Sequence, residues 1–150
     1  MSDRKQFCTL RVGDLLLGIE VGKVQEILRG TSIMPVPLAP PKIRGLINLR
    51  GQIVTAIDLR RRVGLDDAGD QATLTTIVLG TAEEPLALVV DAVGDVVEVR
   101  NDAFEAPPDT LKGDSRKLIE GAYKLERELL LVVDLSVVLD LKGDGGRNNA

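Results

Sequence analysis

The sequence contains no histidine and no tryptophan, and it has a single cysteine among 150 residues. Without histidine the chain lacks the commonest general base and the commonest metal ligand of enzymes, which excludes most hydrolase and zinc mechanisms. Cys8 cannot form an internal disulfide, so a reducing compartment is the simplest location for the chain. We expect Cys8 to be a small core residue in a strand.

Recognisable catalytic motifs are also missing. No Gly-x-Ser-x-Gly elbow occurs, and the glycines at 64 and 69 are followed by Asp70 and Gln71, where a phosphate-binding loop requires Lys and Ser or Thr. Carboxylates are plentiful but not clustered as a magnesium or glycosidase site would need. We predict no enzymatic activity, no cofactor and no metal.

Aromatic residues are scarce, because Phe7, Phe104 and Tyr123 are the whole set. Proteins that bind single-stranded nucleic acids usually stack bases on aromatic side chains. The formal net charge is −4, and the basic run is confined to residues 60–62. Oligonucleotide binding through Arg60, Arg61 and Arg62 is therefore kept only as a remote alternative.

Long hydrophobic runs are absent as well. The longest aliphatic runs, 86–90 and 129–133, have five residues each, far fewer than the roughly 20 that a spanning helix needs. The first residues contain no apolar stretch typical of a signal peptide. We expect a cytoplasmic protein without direct membrane insertion.

The residues that are present favour many short strands. Apolar segments rich in Val, Ile, Leu and Thr recur between Gly, Pro and Asp residues. They predict strands at 7–12, 15–19, 45–49, 52–57, 74–79, 86–90, 96–99, 122–125 and 129–133. Residues 21–28 carry an apolar stripe with helical spacing, which predicts a helix of about two turns. Asp58 and Asp134 each follow a strand and are predicted to cap a helical turn.

An internal repeat organises these strands. Residues 45–59 match 121–135 at an offset of 76, and residues 17–27 match 86–96 at an offset of 69. About five strands per half are enough for a small barrel. The predicted fold is all-β with short helices, formed by two packed five-stranded SH3- or OB-like barrels in a single domain over 1–142. The halves are expected to meet near 64–73, with an exchange of strands left open, and 143–150 to form a disordered tail.

Arg50 is unusual for its position. It lies at a predicted hairpin tip, between Leu49 and Gly51, where Asn or Asp would suit the turn better. Arginine is also among the residues that most often anchor protein interfaces. Both a simple exposed turn residue and an interface residue fit this position.

Several segments together resemble the CheW family of chemotaxis coupling proteins. They include Lys23-Val24-Gln25-Glu26-Ile27, the proline connection 34–40, and Gly45-Leu46-Ile47-Asn48-Leu49-Arg50-Gly51-Gln52. In the second half, residues 88–96 and 119–121 agree, so the resemblance covers about 7–141. It implies a CheW-like fold and a non-enzymatic scaffold that couples transmembrane chemoreceptors to the regulatory domain of a CheA-type histidine kinase. The chain would then be recruited to the inner face of the membrane through receptors.

The resemblance also implies which residues form the contacts. Ten positions are expected in a groove that faces the receptor cytoplasmic tip: Val24, Glu26, Ile27, Asn48, Arg50, Gly51, Asp91, Val93, Asp95 and Val96. Gly45 and Ile47 are expected to serve kinase contact or local shape. For the apolar positions, core packing is the competing interpretation. An adaptor for a non-flagellar chemosensory pathway, or for another kinase pathway, remains the main alternative.

Overall fold

The computed structural model describes residues 3–65, 74–80 and 85–139. In these ranges the chain forms ten strands, three short helices and two 3-10 turns. The strands are β1 (Arg4–Val12), β2 (Leu15–Glu20), β3 (Val24–Arg29), β4 (Ile43–Leu49), β5 (Gln52–Asp58), β6 (Thr75–Leu79), β7 (Leu86–Val90), β8 (Ala92–Arg100), β9 (Ile119–Lys124) and β10 (Leu129–Val133). The helices are α1 (Leu59–Arg62), α2 (Asp114–Leu118) and α3 (Leu135–Val138), and the 3-10 turns are Val21–Lys23 and Asn101–Ala103.

The strands form two five-stranded sheets. Sheet A has the order β8-β1-β2-β10-β9, and sheet B has the order β3-β6-β7-β5-β4. Adding five to each strand number of sheet B, with the count continuing from β10 to β1, gives the order of sheet A, so the sheets are structural repeats. Each contains strands from both halves of the sequence, and each has one parallel pair, β2 with β10 and β5 with β7. The expected meeting point of the halves at 64–73 falls mostly on residues outside the described ranges, and so does the expected tail at 143–150.

The prediction of an all-β fold with two five-stranded units is confirmed, but the sheets are not closed barrels. Within the described ranges, no ladder joins the edge strands β3 and β4, or β8 and β9. Only isolated bridges connect these edges, from Met34 to Leu46 and from Glu105 to Ala122. Prolines lie close after both bridges, at Pro35 and Pro107, and a proline cannot donate the next ladder hydrogen bond.

Alternating side chains fill three hydrophobic clusters. The central cluster contains residues of both sheets, including Leu17, Ile57 and Leu88. The sheet B cluster contains Ile33, Ile47, Val54, Ala56, Leu74, Val78, Ala87 and Val89, and the sheet A cluster contains Phe7, Leu16, Val99, Tyr123, Leu130 and Val132. Neighbouring residues of one strand point to opposite faces, so central strands such as β7 are buried on both sides.

The helix predicted at 21–28 is wrong. A 3-10 turn at Val21–Lys23 leads into β3, which pairs antiparallel with β6. Along β3 the half-buried residues Val24, Glu26 and Leu28 alternate with exposed ones. In a segment this short, the residues that alternate between half-buried and exposed also fit a helical spacing, so the strand pattern is hard to recognise in the sequence. In the structure, pairing with β6 provides hydrogen-bond partners for the backbone groups of β3.

The two predicted helix caps are confirmed. The Asp58 side chain accepts a hydrogen bond from the backbone N–H of Arg61 at 3.3 Å, and the Asp134 side chain accepts one from that of Ser136 at 3.1 Å. Helix α1 is also tied to α3, because the buried Arg62 donates to the Val137 carbonyl oxygen at 2.6 Å. The two repeated helical turns are therefore connected directly.

Candidate protein-interaction site

The β4–β5 hairpin presents Arg50 in a strained conformation. Arg50 and Gly51 have φ angles of 51° and 87°, which is the pattern of a type I′ turn. The Asn48 side chain stabilises the turn by accepting a hydrogen bond from the Gly51 backbone N–H at 2.9 Å. A left-handed conformation favours Gly or Asn over Arg. An arginine held in such a position at an exposed tip points to a functional reason for it.

Arg50 forms a two-pronged ion pair with Glu26 of β3. The Arg50 Nη1 and Nη2 atoms donate to the two carboxylate oxygens at 3.1 Å and 2.5 Å. These hydrogen bonds hold the pKa of Glu26 below its usual value and raise the pKa of Arg50. The Arg50 side chain is 67% exposed and that of Glu26 is 27% exposed. The pair thus bridges β3 and the β4–β5 tip, at opposite edges of sheet B, while the guanidinium remains accessible.

Exposed apolar side chains occur on the strands that hold this pair. Ile53 on β5 is 54% exposed, and Ile27, which points to the opposite face of β3 from Glu26, is 43% exposed. Ile53 lies directly opposite Asn48 in the hairpin register, so the two side chains share one face. The sequence interpretation missed Ile53, although the register of the predicted hairpin would have placed it beside Asn48. An accessible arginine at a hairpin tip, with the exposed Ile53 on the adjoining strand, has the composition of an interface anchor.

The predicted residues of the second half lie on sheet A. At the offset of 69, Val93, Asp95 and Val96 of β8 are the equivalents of Val24, Glu26 and Ile27 of β3. The local geometry repeats as well. Val96 pairs with Cys8, Ile27 pairs with Ile77, and both edge strands have a register shift nearby. Val96 is 53% exposed, whereas Val24 and Val93 both pack against the central cluster.

The structure therefore does not bring the ten predicted receptor-binding residues to one surface. Glu26, Asn48, Arg50 and Gly51 are brought together by β3 and the β4–β5 hairpin, whereas Ile27 points to the other face of β3 and Val24 packs against the central cluster. Asp91 lies apart, at the β7–β8 corner. Val93, Asp95 and Val96 form a repeat of the β3 segment on the other sheet. Their hydrogen bonds differ, because the Asp95 backbone carbonyl accepts from the Thr9 hydroxyl.

Comparison with known proteins identifies the family. A family model described as a CheW-like domain matches residues 6–142. The chain belongs to the CheW family. It is 32% identical to chemotaxis protein CheW of Bacillus subtilis over 122 residues, covering 81% of this chain and 78% of that protein. It is 28% identical to chemotaxis protein CheW of Treponema pallidum over 141 residues, covering 91% and 83%.

A solved structure supports the same conclusion. The crystal structure of the scaffolding protein TtCheW from Thermoanaerobacter tengcongensis superposes with a TM-score of 0.82 at 27% identity, covering 93% of this chain and 94% of that one. The resemblance inferred from the sequence motifs and the CheW-like fold are confirmed. This CheW-family chain is accordingly a member of a family of chemotaxis scaffold proteins.

Asp91 has a different environment from the other predicted contact residues of the CheW-family chain. Its Oδ2 atom accepts hydrogen bonds from the Gly13 backbone N–H and from Arg60 Nη1, both at 2.8 Å, and its backbone N–H donates to Arg11. These bonds join the β7–β8 corner to the β1–β2 turn and to α1. The placement favours a role in the fold over direct contact with a partner.

Gly45 and Ile47 also have placements that favour shape. Ile47 is 1% exposed in the sheet B cluster. A β-carbon on Gly45 would overlap the carbonyl oxygen of Met34, the residue that bridges to Leu46. Gly121 occupies the equivalent position in sheet A, where a β-carbon would overlap the Phe104 ring. Both glycines let the chain that leaves one sheet edge cross the opposite edge strand.

Two further features of the described part of the chain bear on its chemistry. No group of three or more His, Cys, Asp or Glu side chains within it is placed to hold a metal ion. None of the helices found there is long and apolar enough to cross a membrane. The described arrangement at Arg50 is suited to recognition by hydrogen bonds and charge.

Proposed function

We propose that this CheW-family chain is a non-enzymatic adaptor that couples transmembrane chemoreceptors to a CheA-type histidine kinase in chemotaxis. The observation that carries the proposal is the exposed Arg50, fixed by Glu26 on a strained hairpin of a chain that belongs to a chemotaxis scaffold family. An adaptor makes and breaks no bond. It works by binding two partners at once, so that each raises the local concentration of the other.

The receptor contact is proposed on the surface around Arg50. Its guanidinium already has one carboxylate partner, so the pair presents a nearly neutral polar centre with fixed geometry. Ile53, opposite Asn48 in the hairpin register, supplies apolar area near the tip. Asn48 and Gly51 hold the tip in place. A receptor cytoplasmic tip with apolar side chains around one acceptor group for Arg50 would complement this surface.

The remaining predicted residues take supporting roles in this proposal. Val24 and Val93 anchor the edge strands in the central cluster, while Asp95 and Val96 offer a second, smaller contact on β8. The second partner is the regulatory domain of the kinase. The chain is proposed to act in the cytoplasm, recruited to the inner face of the membrane through the receptors.

The test compares Arg50 with a matched arginine. Arg100 is similarly exposed, at 65% against 67%, and forms an equivalent two-pronged pair with Asp102. Arg50→Ala and Arg50→Glu should weaken binding of a receptor cytoplasmic fragment about tenfold or more, as for an interface anchor, and Arg100→Ala should leave it unchanged. Isothermal titration calorimetry gives the affinities, and thermal melting checks that the variants fold. Equal losses for both arginines would contradict the assignment of the site.

A specific observation disfavours the oligonucleotide alternative. Of the three basic residues 60–62, Arg62 is buried against α3 and Arg60 donates to Asp91. Of the three, Arg61 alone is exposed, so the run does not form a basic surface. An adaptor role in a non-flagellar or other kinase pathway would use the same surfaces, and the identity of the bound receptor would distinguish it.

A further inference from the structure

Each sheet contains a bulge at the same place in the repeat. In sheet B the extra residue is Arg44, where the register of β4 with β5 shifts between Ile43 and Gly45. In sheet A it is Glu120, where the register of β9 with β10 shifts. The two residues are 76 apart, which is the offset of the internal repeat. A bulge redirects the side chain of its extra residue, so Arg44 and Glu120 occupy equivalent positions.

The helix cap beside each bulge is also equivalent. The backbone N–H of Asp58 donates to the Lys42 carbonyl oxygen at 2.7 Å, and that of Asp134 donates to the Leu118 carbonyl oxygen at 2.7 Å. In sheet B, Asp58 Oδ2 accepts a hydrogen bond from Arg44 at 3.2 Å, and the two side chains are 5% and 10% exposed. The bulge of sheet A supplies a second carboxylate where sheet B has this guanidinium.

Glu120 and Asp134 line a cavity of about 250 Å³ beside α3, and the other charged residues of its lining are Glu20 and Lys23. The nearby Lys5 is paired with Glu20 at 3.3 Å. Burial raises the pKa of Glu120, and the Asp134 carboxylate raises it further, although Lys5 and Lys23 act in the opposite direction. Among the described residues, none forms an ion pair with Glu120 or Asp134. The cavity therefore holds like charges that an added cation would stabilise.

An arginine side chain suits this cavity better than a metal ion. No group of three or more His, Cys, Asp or Glu side chains in the described ranges is placed to hold a metal. A guanidinium can bridge two carboxylates through its planar fork of donors. Its aliphatic stem would lie against Phe7 and Val132, which form apolar parts of the lining. An apolar cavity of about 150 Å³ is large enough for benzene, so the volume suffices for one side chain.

We propose that the cavity beside α3 receives an arginine side chain of a partner protein, whose guanidinium binds Glu120 and Asp134 as Arg44 binds Asp58 in sheet B. The internal copy of the site identifies the occupant, because it shows a guanidinium held by the equivalent aspartate. The inference does not depend on the adaptor function, since it rests on a comparison between the two halves of this chain.

Glu120→Arg makes opposite demands on stability and binding. It supplies the internal cation that sheet B already has, so the melting temperature should rise by about 1–3 °C. The same side chain would occupy the cavity and repel an incoming guanidinium, so binding should be lost. Glu120→Gln removes one carboxylate at nearly constant volume and should weaken binding about threefold or more. The control is Glu126→Gln, which makes the same charge change at an exposed residue of the β9–β10 turn, outside the cavity lining.

The probe is N-acetyl-arginine amide, which presents the side chain without terminal charges, titrated into the full chain and followed by amide NMR shifts. Saturable shifts around Gly121 and Asp134 in wild type and Glu126→Gln, weaker in Glu120→Gln and lost in Glu120→Arg, support the proposal. Absence of saturable shifts in wild type overturns it, as does a lower melting temperature for Glu120→Arg than for wild type. Equal affinity for N-acetyl-lysine amide or spermidine would show unselective attraction of cations and overturn it. Tighter binding of free L-arginine than of the amide would indicate a site for the amino acid and also overturn it.

Discussion

Gly45→Ala should be among the most destabilising Gly→Ala substitutions in the described part of the chain. The new β-carbon would overlap the Met34 carbonyl oxygen and lie 2.8 Å from Cγ2 of the buried Ile33. The Met34 oxygen belongs to the backbone and accepts a hydrogen bond from Leu46, so it cannot move without breaking the bridge. The clash therefore has to be relieved by separating the proline connection from β4.

The expected loss of stability is the sum of the backbone strain and of two lost hydrogen bonds. The φ angle of 153° at Gly45 is costly for any residue with a β-carbon, by about 1–3 kcal/mol. Loss of the two hydrogen bonds between Met34 and Leu46 adds about 1 kcal/mol each. We expect Gly45→Ala to lower the free energy of unfolding by about 3 kcal/mol or more, a large fraction of the stability of a typical domain.

Two other glycines provide matched controls for the same substitution. Gly51 has a φ of 87° and no atom within 4 Å of the point where a β-carbon would lie, so Gly51→Ala tests backbone strain alone, at about 1–2 kcal/mol. Gly22 has neither a positive φ nor a close neighbour, and Gly22→Ala should change stability by no more than about 1 kcal/mol. Urea denaturation measures all three. A Gly45→Ala protein no less stable than Gly51→Ala would refute the reasoning from the bridge.

Three further predictions concern other sites. Arg62→Ala should destabilise the protein by about 2–4 kcal/mol in urea denaturation, because it removes a buried donor to the Val137 carbonyl oxygen and leaves a cavity between α1 and α3. Because the pKa of Glu26 is lowered by Arg50, the stabilisation from this pair is present above the unfolded pKa of Glu26 and is lost as the pH falls through the folded value. The difference in melting temperature between wild type and Glu26→Gln should therefore shrink from pH 7 to pH 3, and a constant difference would contradict this assignment. Burial raises the pKa of the Cys8 thiol, so a thiol reagent should modify it far more slowly in the native protein than in urea, and equal rates would contradict its placement.

Much of the fold could be predicted from the sequence because its signals were local. All nine predicted strands are present, since each was a short apolar segment bounded by turn residues. The caps at Asp58 and Asp134 followed from side chains that bind the next turn of backbone. The internal repeat was visible because equivalent strands bury equivalent faces.

The errors came from interactions between distant segments. Strand β3 depends on pairing with β6, about 50 residues away in sequence, and its own residues also fit a helical period. Closure of the barrels requires the backbone hydrogen bonds at each isolated bridge to continue into a ladder between the two edge strands. The amino-acid composition does not determine how many residues such a ladder would contain. The hydrogen bonds of Asp91 with Gly13 and Arg60 could likewise not be predicted from the sequence, because only the assembled sheets bring these residues together.

The candidate site was only partly predictable for the same reason. The motif around Arg50 identified the hairpin, and the family resemblance supplied its significance. The Glu26 partner of Arg50 required knowing that strands at opposite edges of sheet B approach each other, whereas the exposed Ile53 required only the register of the predicted hairpin.

The central claim is that the chain joins receptors to the kinase, and co-sedimentation tests it most directly. Vesicles that contain a chemoreceptor are mixed with a CheA-type kinase, with or without the chain, and the kinase in the pellet is measured. The account predicts that the chain increases pelleted kinase, and that folded Arg50→Glu protein increases it much less than wild type or Arg100→Ala. Kinase that pellets equally with and without the chain would contradict the account.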